Sequence, residues 1–144
     1  MWAEPLTAET VVLDAYSCAV VAYAGDGLPV ARVLCAYNVP AGTGVFGEMS
    51  VVDQGGGPRQ RIRALVLLVR EALRFGAEIG IVSAHTDAPP RLAAFAARMS
   101  GLPGEPFGPY VRFGAALHVM RSAALNATDP RGEFVQAAPP VDGS

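Results

Sequence analysis

The sequence predicts a single α/β domain whose mixed, mostly antiparallel sheet carries helices on its faces. Three observations support this fold class. The 144 residues suffice for one hydrophobic core, with 51% hydrophobic residues. Consecutive strand-like segments joined by short turns favour an antiparallel meander. A strand, a helix and a further strand then follow one another, which favours a right-handed crossover between parallel strands.

The first part of the chain is predicted to form strands joined by turns. Gly25-Asp26-Gly27 is typical of a tight hairpin, and residues 38–44 have the composition of a loop. Apolar and β-branched runs around these breaks predict four strands: Val11–Asp14, Cys18–Tyr23, Val30–Tyr37 and Val45–Val52.

A helix is predicted from Pro58, a residue suited to a first helical turn, to Phe75-Gly76. Its apolar residues recur at helical spacing: Ile62, Leu65, Val66, Val69 and Leu73. The remaining pattern predicts a strand at Ile79–Ser83, a helix from Asp87-Ala88-Pro89-Pro90 with Leu92, Phe95 and Met99 inward, and a final strand or bent pair over Tyr110–Met120. Residues 1–125 are therefore interpreted as the domain, and residues 126–144, rich in Pro and Gly, as a solvated tail.

Composition excludes several classes of function. A net charge of −2 argues against general nucleic-acid binding. No apolar run reaches the roughly 18–20 residues of a membrane span, and the N-terminus lacks the pattern of a secretory signal. Cys18 and Cys35 lie in strand-like segments and are interpreted as reduced core residues, neither a disulfide nor metal ligands. These features predict a cytoplasmic protein without a metal, a nucleic-acid partner or a membrane partner.

The segment Gly55–Arg63 is the predicted binding loop. A helix N-terminus attracts anions, and glycines before it let a ligand approach the backbone. Arg59, Arg61 and Arg63 stand at the end of the helix that disfavours cations, so either a bound phosphate compensates them or they form a solvated first turn. The chain has no lysine, which argues against a P-loop nucleotide site.

These residues resemble a known family. Arg59-Gln60-Arg61-Ile62-Arg63-Ala64, followed by Leu65, is similar to the pyrophosphate-binding signature of the GNAT acyltransferases, Gln/Arg-x-x-Gly-x-Gly/Ala before a leucine-rich helix. Three further features fall in the family's order, over roughly residues 19–120: Gly76 before Ile79–Ser83, Gly101-Leu102 after the second helix, and Leu117-His118-Val119-Met120 as a closing strand. The sequence departs from the family at Ile62, where the signature has glycine, and at Ala97, where the family usually has a tyrosine that acts as the general acid.

The resemblance implies acetyl-CoA as co-substrate and an amine as acceptor. Val51 and Val52, at the end of a strand, would border the pantetheine arm, and the six signature residues Arg59, Gln60, Arg61, Ile62, Arg63 and Ala64 would hold the pyrophosphate. The two helices that the family places between its first strands are missing or reduced here. The acceptor pocket is therefore expected to be either open or completed by another subunit.

Acyl transfer to an amine needs a base to remove a proton and an acid to protonate the leaving thiolate. Glu48 is the candidate base, because burial in the strand before the loop would raise its pKa. Tyr110 is the candidate acid, and His85 ends a strand where a cleft is expected. Each also has a structural interpretation: an outward-facing carboxylate, a packed aromatic residue and a surface histidine.

The sequence thus favours a GNAT-type N-acyltransferase acting on an amine of a small molecule or a protein. Two alternatives remain open. One is a catalytically degenerate GNAT-fold protein for binding or assembly, similar to some encoded by bacteriophages. The other is a small α/β regulatory domain without a coenzyme.

Overall fold

The structure of the chain, a computed structural model, describes residues 1–52 and 54–125. The predicted tail, residues 126–144, lies outside the described residues. A short 3₁₀ turn at Pro90–Leu92 precedes the second helix. The other elements are β1 (Thr7–Asp14), β2 (Ser17–Tyr23), β3 (Pro29–Asn38), β4 (Thr43–Val51), α1 (Pro58–Glu78), β5 (Ser83–Ala88), α2 (Ala93–Ser100), β6 (Glu105–Phe107), β7 (Tyr110–Ala116) and α3 (Leu117–Leu125).

The seven strands form one sheet in the order β1-β2-β3-β4-β5-β7-β6. Neighbouring strands pair antiparallel except β4 and β5, which are parallel because α1 carries the chain back between them. This arrangement confirms the predicted mixed sheet, the meander of β2 to β4 and the strand–helix–strand crossover.

The helices of the described chain pack on one face of the sheet, which we call the inner face. Alternate residues of the strands, such as Val20 of β2 and Val33 of β3, are buried there beneath α1. Phe95 of α2 and Met120 of α3 belong to the same buried cluster. The intervening strand residues lie on the opposite, outer face, where Leu34 is 48% exposed. The outer face is therefore largely uncovered by the described residues.

The strand predicted at Ile79–Ser83 is misplaced. Helix α1 continues past Gly76 to Glu78, and β5 begins only at Ser83. Between them Gly80 adopts φ 90°, a turn conformation that glycine allows. Ile81 then packs into the core at 5% exposure. These β-branched residues favour a strand locally, but in the structure they form the connection between α1 and β5, and Ile81 is buried there.

The second helix begins later than predicted. Asp87 and Ala88 belong to β5, where they pair with Arg112 and Val111 of β7. Helix α2 starts at Ala93 and buries two of the three predicted core residues, Phe95 and Met99, while Leu92 is half-buried.

The final strand is shorter than predicted, and Leu117–Met120 is helical. The strand ends at Ala116, and α3 follows directly. Leu117, Met120 and Ala124 recur at helical spacing and are all buried. A run of apolar residues this short suits a strand or a helix equally well, and packing against α1 and α2 decides it here.

The one-sided helical layer predicts unequal effects at adjacent positions of β3. We expect Val33→Ala, on the inner face at 1% exposure, to lower the free energy of unfolding by about 2 kcal/mol. Leu34→Ala, on the outer face, should change it by less than about 0.5 kcal/mol. Urea unfolding of both variants measures the difference. Equal losses would show that the outer face is also covered.

Candidate active site

A cleft opens where β4 and β5 part. The two strands pair only from Thr43 with Ser83 to Phe46 with Thr86, and the Thr86 hydroxyl donates a 3.3 Å hydrogen bond to the Phe46 carbonyl. Beyond this point β4 continues along β3 and β5 continues along β7. No ladder pair joins the described residues of the two strands past Phe46. The strands therefore diverge and leave backbone edges facing the gap.

A β-bulge in β4 explains the divergence. The register with β3 shifts between Val33 and Cys35, so Gly47 and Glu48 together lie opposite Leu34. A Cβ at Gly47 would lie 2.5 Å from the Leu34 carbonyl oxygen, so this position requires glycine. A bulge bends its strand and increases the local twist. It lies immediately after the last β4 residue that pairs with β5.

The N-terminus of α1 lies at the open end of this cleft, because β4 runs toward it. Gly57 is the N-cap and Pro58 the first helical residue, as predicted. The first-turn amides and the positive end of the helix dipole are thus directed toward the end at which the strands separate. The combination gives a groove with backbone hydrogen-bonding edges and an anion-attracting terminus.

The N-terminal segment Trp2–Glu4 packs against the loop before α1, and we call this segment the clamp. Trp2 is 5% exposed, and its indole Nε1 donates a 3.0 Å hydrogen bond to the Gln54 carbonyl. Its ring covers the glycines that precede the helix, and a Cβ at Gly56 would lie 2.6 Å from it. The sequence suggested that these glycines admit a ligand. In the structure, Gly55 and Gly56 instead admit the side chain of Trp2.

Gln60 joins this clamp to the helix and is only 3% exposed. Its side-chain oxygen accepts hydrogen bonds from the Trp2 and Gly57 amides, at 3.0 and 3.3 Å. Its amide nitrogen donates to the Trp2 carbonyl and to the Glu4 carboxylate, at 3.0 and 2.6 Å. The side chain has therefore used its full hydrogen-bonding capacity within the protein. The side chain is therefore engaged within the protein, and the predicted contact of Gln60 with a ligand would be made by its main chain.

Two other signature residues belong to the core rather than to a binding surface. Ala64 is completely buried, and Ile62 is half-buried and packs against the core cluster. A direct side-chain contact between Ala64 and a ligand is therefore excluded. Val51 pairs with Ala31 and packs against the core, whereas Val52 is 42% exposed.

The arginines of the basic run have protein partners. Arg61 donates a 2.6 Å hydrogen bond to the Val52 carbonyl, which ties the helix to the end of β4. Arg63 lies 3.5 Å from the Glu4 carboxylate. Further along α1, Arg70 bonds to the Ala124 carbonyl and Arg74 pairs with Glu71 and Glu78. The three arginines of the first helical turns, Arg59, Arg61 and Arg63, are half-buried.

The three candidate catalytic residues lie on the strands around the cleft but not in one cluster. Glu48 is exposed in the bulge, so the burial expected for its carboxyl group is not found. His85, half-buried, pairs with Val45 on one side and Gly114 on the other, at the closed end of the cleft. Tyr110 is 46% exposed and stands four residues before Gly114, about 13 Å along β7.

Beside His85 lies an ion pair that the sequence did not predict. Arg112 donates two hydrogen bonds to Asp87, at 2.7 and 2.9 Å, and its guanidinium stacks 3.7 Å from the centre of the Phe107 ring. Hydrogen bonds from Arg112 outweigh burial and lower the pKa of the Asp87 carboxyl, with a smaller contribution from His85. Asp87 and Arg112 are neighbours only through the β5–β7 register, which no local pattern reveals.

Comparison with solved structures identifies the fold. GCN5 from Tetrahymena aligns with a TM-score of 0.55 at 8% identity, over 74% of this chain and 71% of that one. A Vibrio cholerae spermidine N-acetyltransferase, solved with CoA and spermine, aligns with a TM-score of 0.54 at 12% identity, over 74% and 69%. The catalytic domain of the Tetrahymena GCN5 histone acetyltransferase with coenzyme A gives 0.52 at 10%, over 75% and 70%.

The chain therefore has the fold of the GNAT acyl-CoA N-acyltransferases, as the sequence resemblance predicted. No protein-family model and no curated protein matches its sequence. Among residues 1–52 and 54–125, no helix is long and apolar enough to cross a bilayer. The same residues contain no group of three or more His, Cys, Asp or Glu placed to hold a metal ion.

The clamp predicts opposite outcomes at two adjacent glycines. Gly56→Ala places a methyl group against the buried Trp2 ring, so we expect a loss of about 1–3 kcal/mol in the free energy of unfolding. Gly57→Ser is the matched control, because a Cβ there has no neighbour within 4 Å and serine is favoured at an N-cap. It should be neutral or stabilising in thermal unfolding. A tolerated Gly56→Ala would mean that Trp2 does not pack on the loop.

Proposed function

We propose that this chain binds acetyl-CoA in the cleft between β4 and β5 and transfers the acetyl group to an amine. The observation that carries the proposal is the parting of the two strands beside the α1 N-terminus. Two proteins with this fold were solved with CoA, one of them also with spermine.

The first turns of α1 bind the pyrophosphate in this proposal. Its negative charge is stabilised by the helix terminus and by charge-assisted hydrogen bonds from Arg59 and Arg61. The pantetheine arm extends along β4 past Val52 and Val51 and hydrogen-bonds to the strand edge that β5 leaves free. Ile62, in place of a glycine, packs against the core.

The reaction requires the amine nitrogen to attack the thioester carbonyl carbon while the carbon–sulfur bond breaks. Glu48, exposed at the bulge, accepts the amine proton directly or through a water molecule, and the coenzyme thiolate departs. Tyr110, at the open end of the cleft on β7, is the proposed acid that protonates the thiolate. His85, at the closed end, is the second candidate for the base.

Binding without turnover is the alternative function, and two observations favour it. Ala97 stands where the family usually has its acid tyrosine, and the outer face beside the cleft is uncovered by the described residues. A degenerate member of this fold would use the exposed face for assembly. A thermal-shift experiment and a kinetic experiment separate ligand binding from catalysis.

Acetyl-CoA at about 100-fold its dissociation constant should raise the melting temperature by about 5–10 °C, since binding at that excess stabilises by about 2.7 kcal/mol. Arg59→Glu combined with Arg61→Glu should abolish the shift. Arg91→Glu with Arg98→Glu is the control, because it makes the same charge change at exposed positions near α2. If saturating acetyl-CoA leaves the wild-type melting temperature unchanged, the proposed ligand and the proposed reaction both fail.

Glu48→Gln should lower kcat/KM for acetyl transfer by roughly 10²–10⁴-fold, the usual contribution of a general base. The substrates are a panel of small-molecule and peptide amines. Glu9→Gln is the control, since Glu9 is another exposed carboxylate of the sheet, on β1. Both variants should keep the melting shift with acetyl-CoA. If Glu48→Gln leaves the rate of acetyl transfer unchanged, Glu48 is not the base and His85 becomes the candidate. If the wild type binds acetyl-CoA but transfers no acetyl group, the assembly alternative is supported.

A further inference from the structure

The two cysteines of the chain face each other across two strands. Cys18 of β2 and Cys35 of β3 are direct partners in the antiparallel register. Both side chains lie on the inner face, and both thiols are free. No other cysteine occurs in the 144 residues. The pair therefore has no competing intramolecular partner.

The spacing of the strands allows these cysteines to be bridged. Two residues further along the same ladder, the Tyr37 amide donates a hydrogen bond to the Tyr16 carbonyl. Hydrogen-bonded pairs recur at every second residue of an antiparallel ladder, so Cys18 and Cys35 also form such a pair. The Cα atoms of such a pair are about 5.5 Å apart. Disulfides usually form at Cα separations of roughly 4.4–6.8 Å. The Cα separation of the pair therefore falls within the range in which a bridge can form.

A small apolar cavity lies beside the two cysteines. It has a volume of about 30 Å³, and Cys18 and Cys35 line it together with Tyr37, Phe46 and Ala84. Such a volume holds a water-sized molecule and is too small for a tripeptide disulfide such as oxidised glutathione. Cys18 is 1% exposed and Cys35 is half-buried. A small oxidant is therefore the reagent that this site admits.

The two thiols have different acidities. A hydrogen bond with Cys35 lowers the pKa of Cys18, although burial and the Glu71 charge oppose this effect. A hydrogen bond with Cys18, followed by burial, raises the pKa of Cys35. The hydrogen bond between the two thiols thus favours a thiolate at one sulfur atom while the other keeps its proton. Thiolates react with peroxides, whereas protonated thiols do not.

We propose that Cys18 and Cys35 form a peroxide-sensitive dithiol that closes to a disulfide between β2 and β3. The Cys18 thiolate attacks one oxygen of hydrogen peroxide, the O–O bond breaks, and hydroxide leaves to give a sulfenic acid. The Cys35 sulfur then attacks the sulfenic sulfur, and the departing hydroxide takes the Cys35 proton as water. Two thiols and one peroxide give one disulfide and two waters.

The bridge forms directly behind the closed end of the cleft. Phe46 is the last β4 residue paired with β5, and Ala84 lies on the facing strand. Both residues line the cavity that contains the thiols. Oxidation therefore alters packing beneath the strand pair from which the cleft opens, without touching any candidate catalytic residue.

Mass spectrometry of the full chain tests the proposal. The reduced protein is treated with hydrogen peroxide under native conditions, then unfolded and alkylated with iodoacetamide. We expect a monomer that has lost the mass of two hydrogen atoms, takes up no alkyl group, and yields a peptide linking Cys18 to Cys35. Dithiothreitol should restore both alkylation sites.

Cys18→Ala and Cys35→Ala are the matched controls. Each keeps one thiol, so peroxide should produce oxygen addition or a reducible dimer in place of the internal bridge. The proposal fails if the folded wild type keeps two alkylatable thiols, if it reacts only in urea, or if it gives intermolecular dimers. None of these outcomes depends on acetyl-CoA, so failure here leaves the proposed transferase function untouched.

Discussion

The cleft depends on one close approach, between residue 47 of β4 and the carbonyl oxygen of Leu34 on β3. Only a glycine fits there, because a Cβ would lie 2.5 Å from that oxygen. The approach lets β3 and β4 remain paired while β4 carries an additional residue. Since the additional residue follows the last pair with β5, each strand finds its later hydrogen bonds on the side away from the other. The cleft is thus a property of the backbone, independent of the side chains that line it.

The one-sided helical layer determines what this cleft can enclose. Strands β1 and β2 are joined by the two residues Ala15 and Tyr16, which leaves no chain between them to cover the outer face. Glu48 and Tyr110 are therefore exposed on their strands. Small ligands gain affinity mainly by losing most of their surface to a concave pocket. The acceptor of the proposed reaction would have to supply contact surface of its own at this face, or a second subunit would have to supply it.

Elements with strong local patterns and the antiparallel pairing of the meander were predictable from the sequence, but the exact strand register and the long-range side-chain contacts were not. The meander, α1 and its start at Pro58 follow from turn chemistry and helical periodicity. The segment Ile79–Ser83 has the composition of a strand, but β5 begins only at Ser83, because Ile81 packs into the core as part of the connection from α1. Gly47 did carry a signal, because an isolated glycine in a strand pattern indicates a bulge. Trp2 carried none: its partner Gln60 is 58 residues away in the sequence.

The N-terminal segment that carries Trp2 also changes how the positive charge near α1 is interpreted. The sequence places several arginines on this helix, but Glu4 reaches Arg63 from the flank that carries Gln60. That ion pair is half exposed, and such pairs contribute little, about 1 kcal/mol or less. A multiply charged pyrophosphate at the helix terminus would displace it at small cost. The Glu4 carboxylate bonds to the side chains of Gln60 and Arg63, so its negative charge lies close to the helix N-terminus. In the proposed site, Arg63 would then bind the anion together with the helix terminus, Arg59 and Arg61.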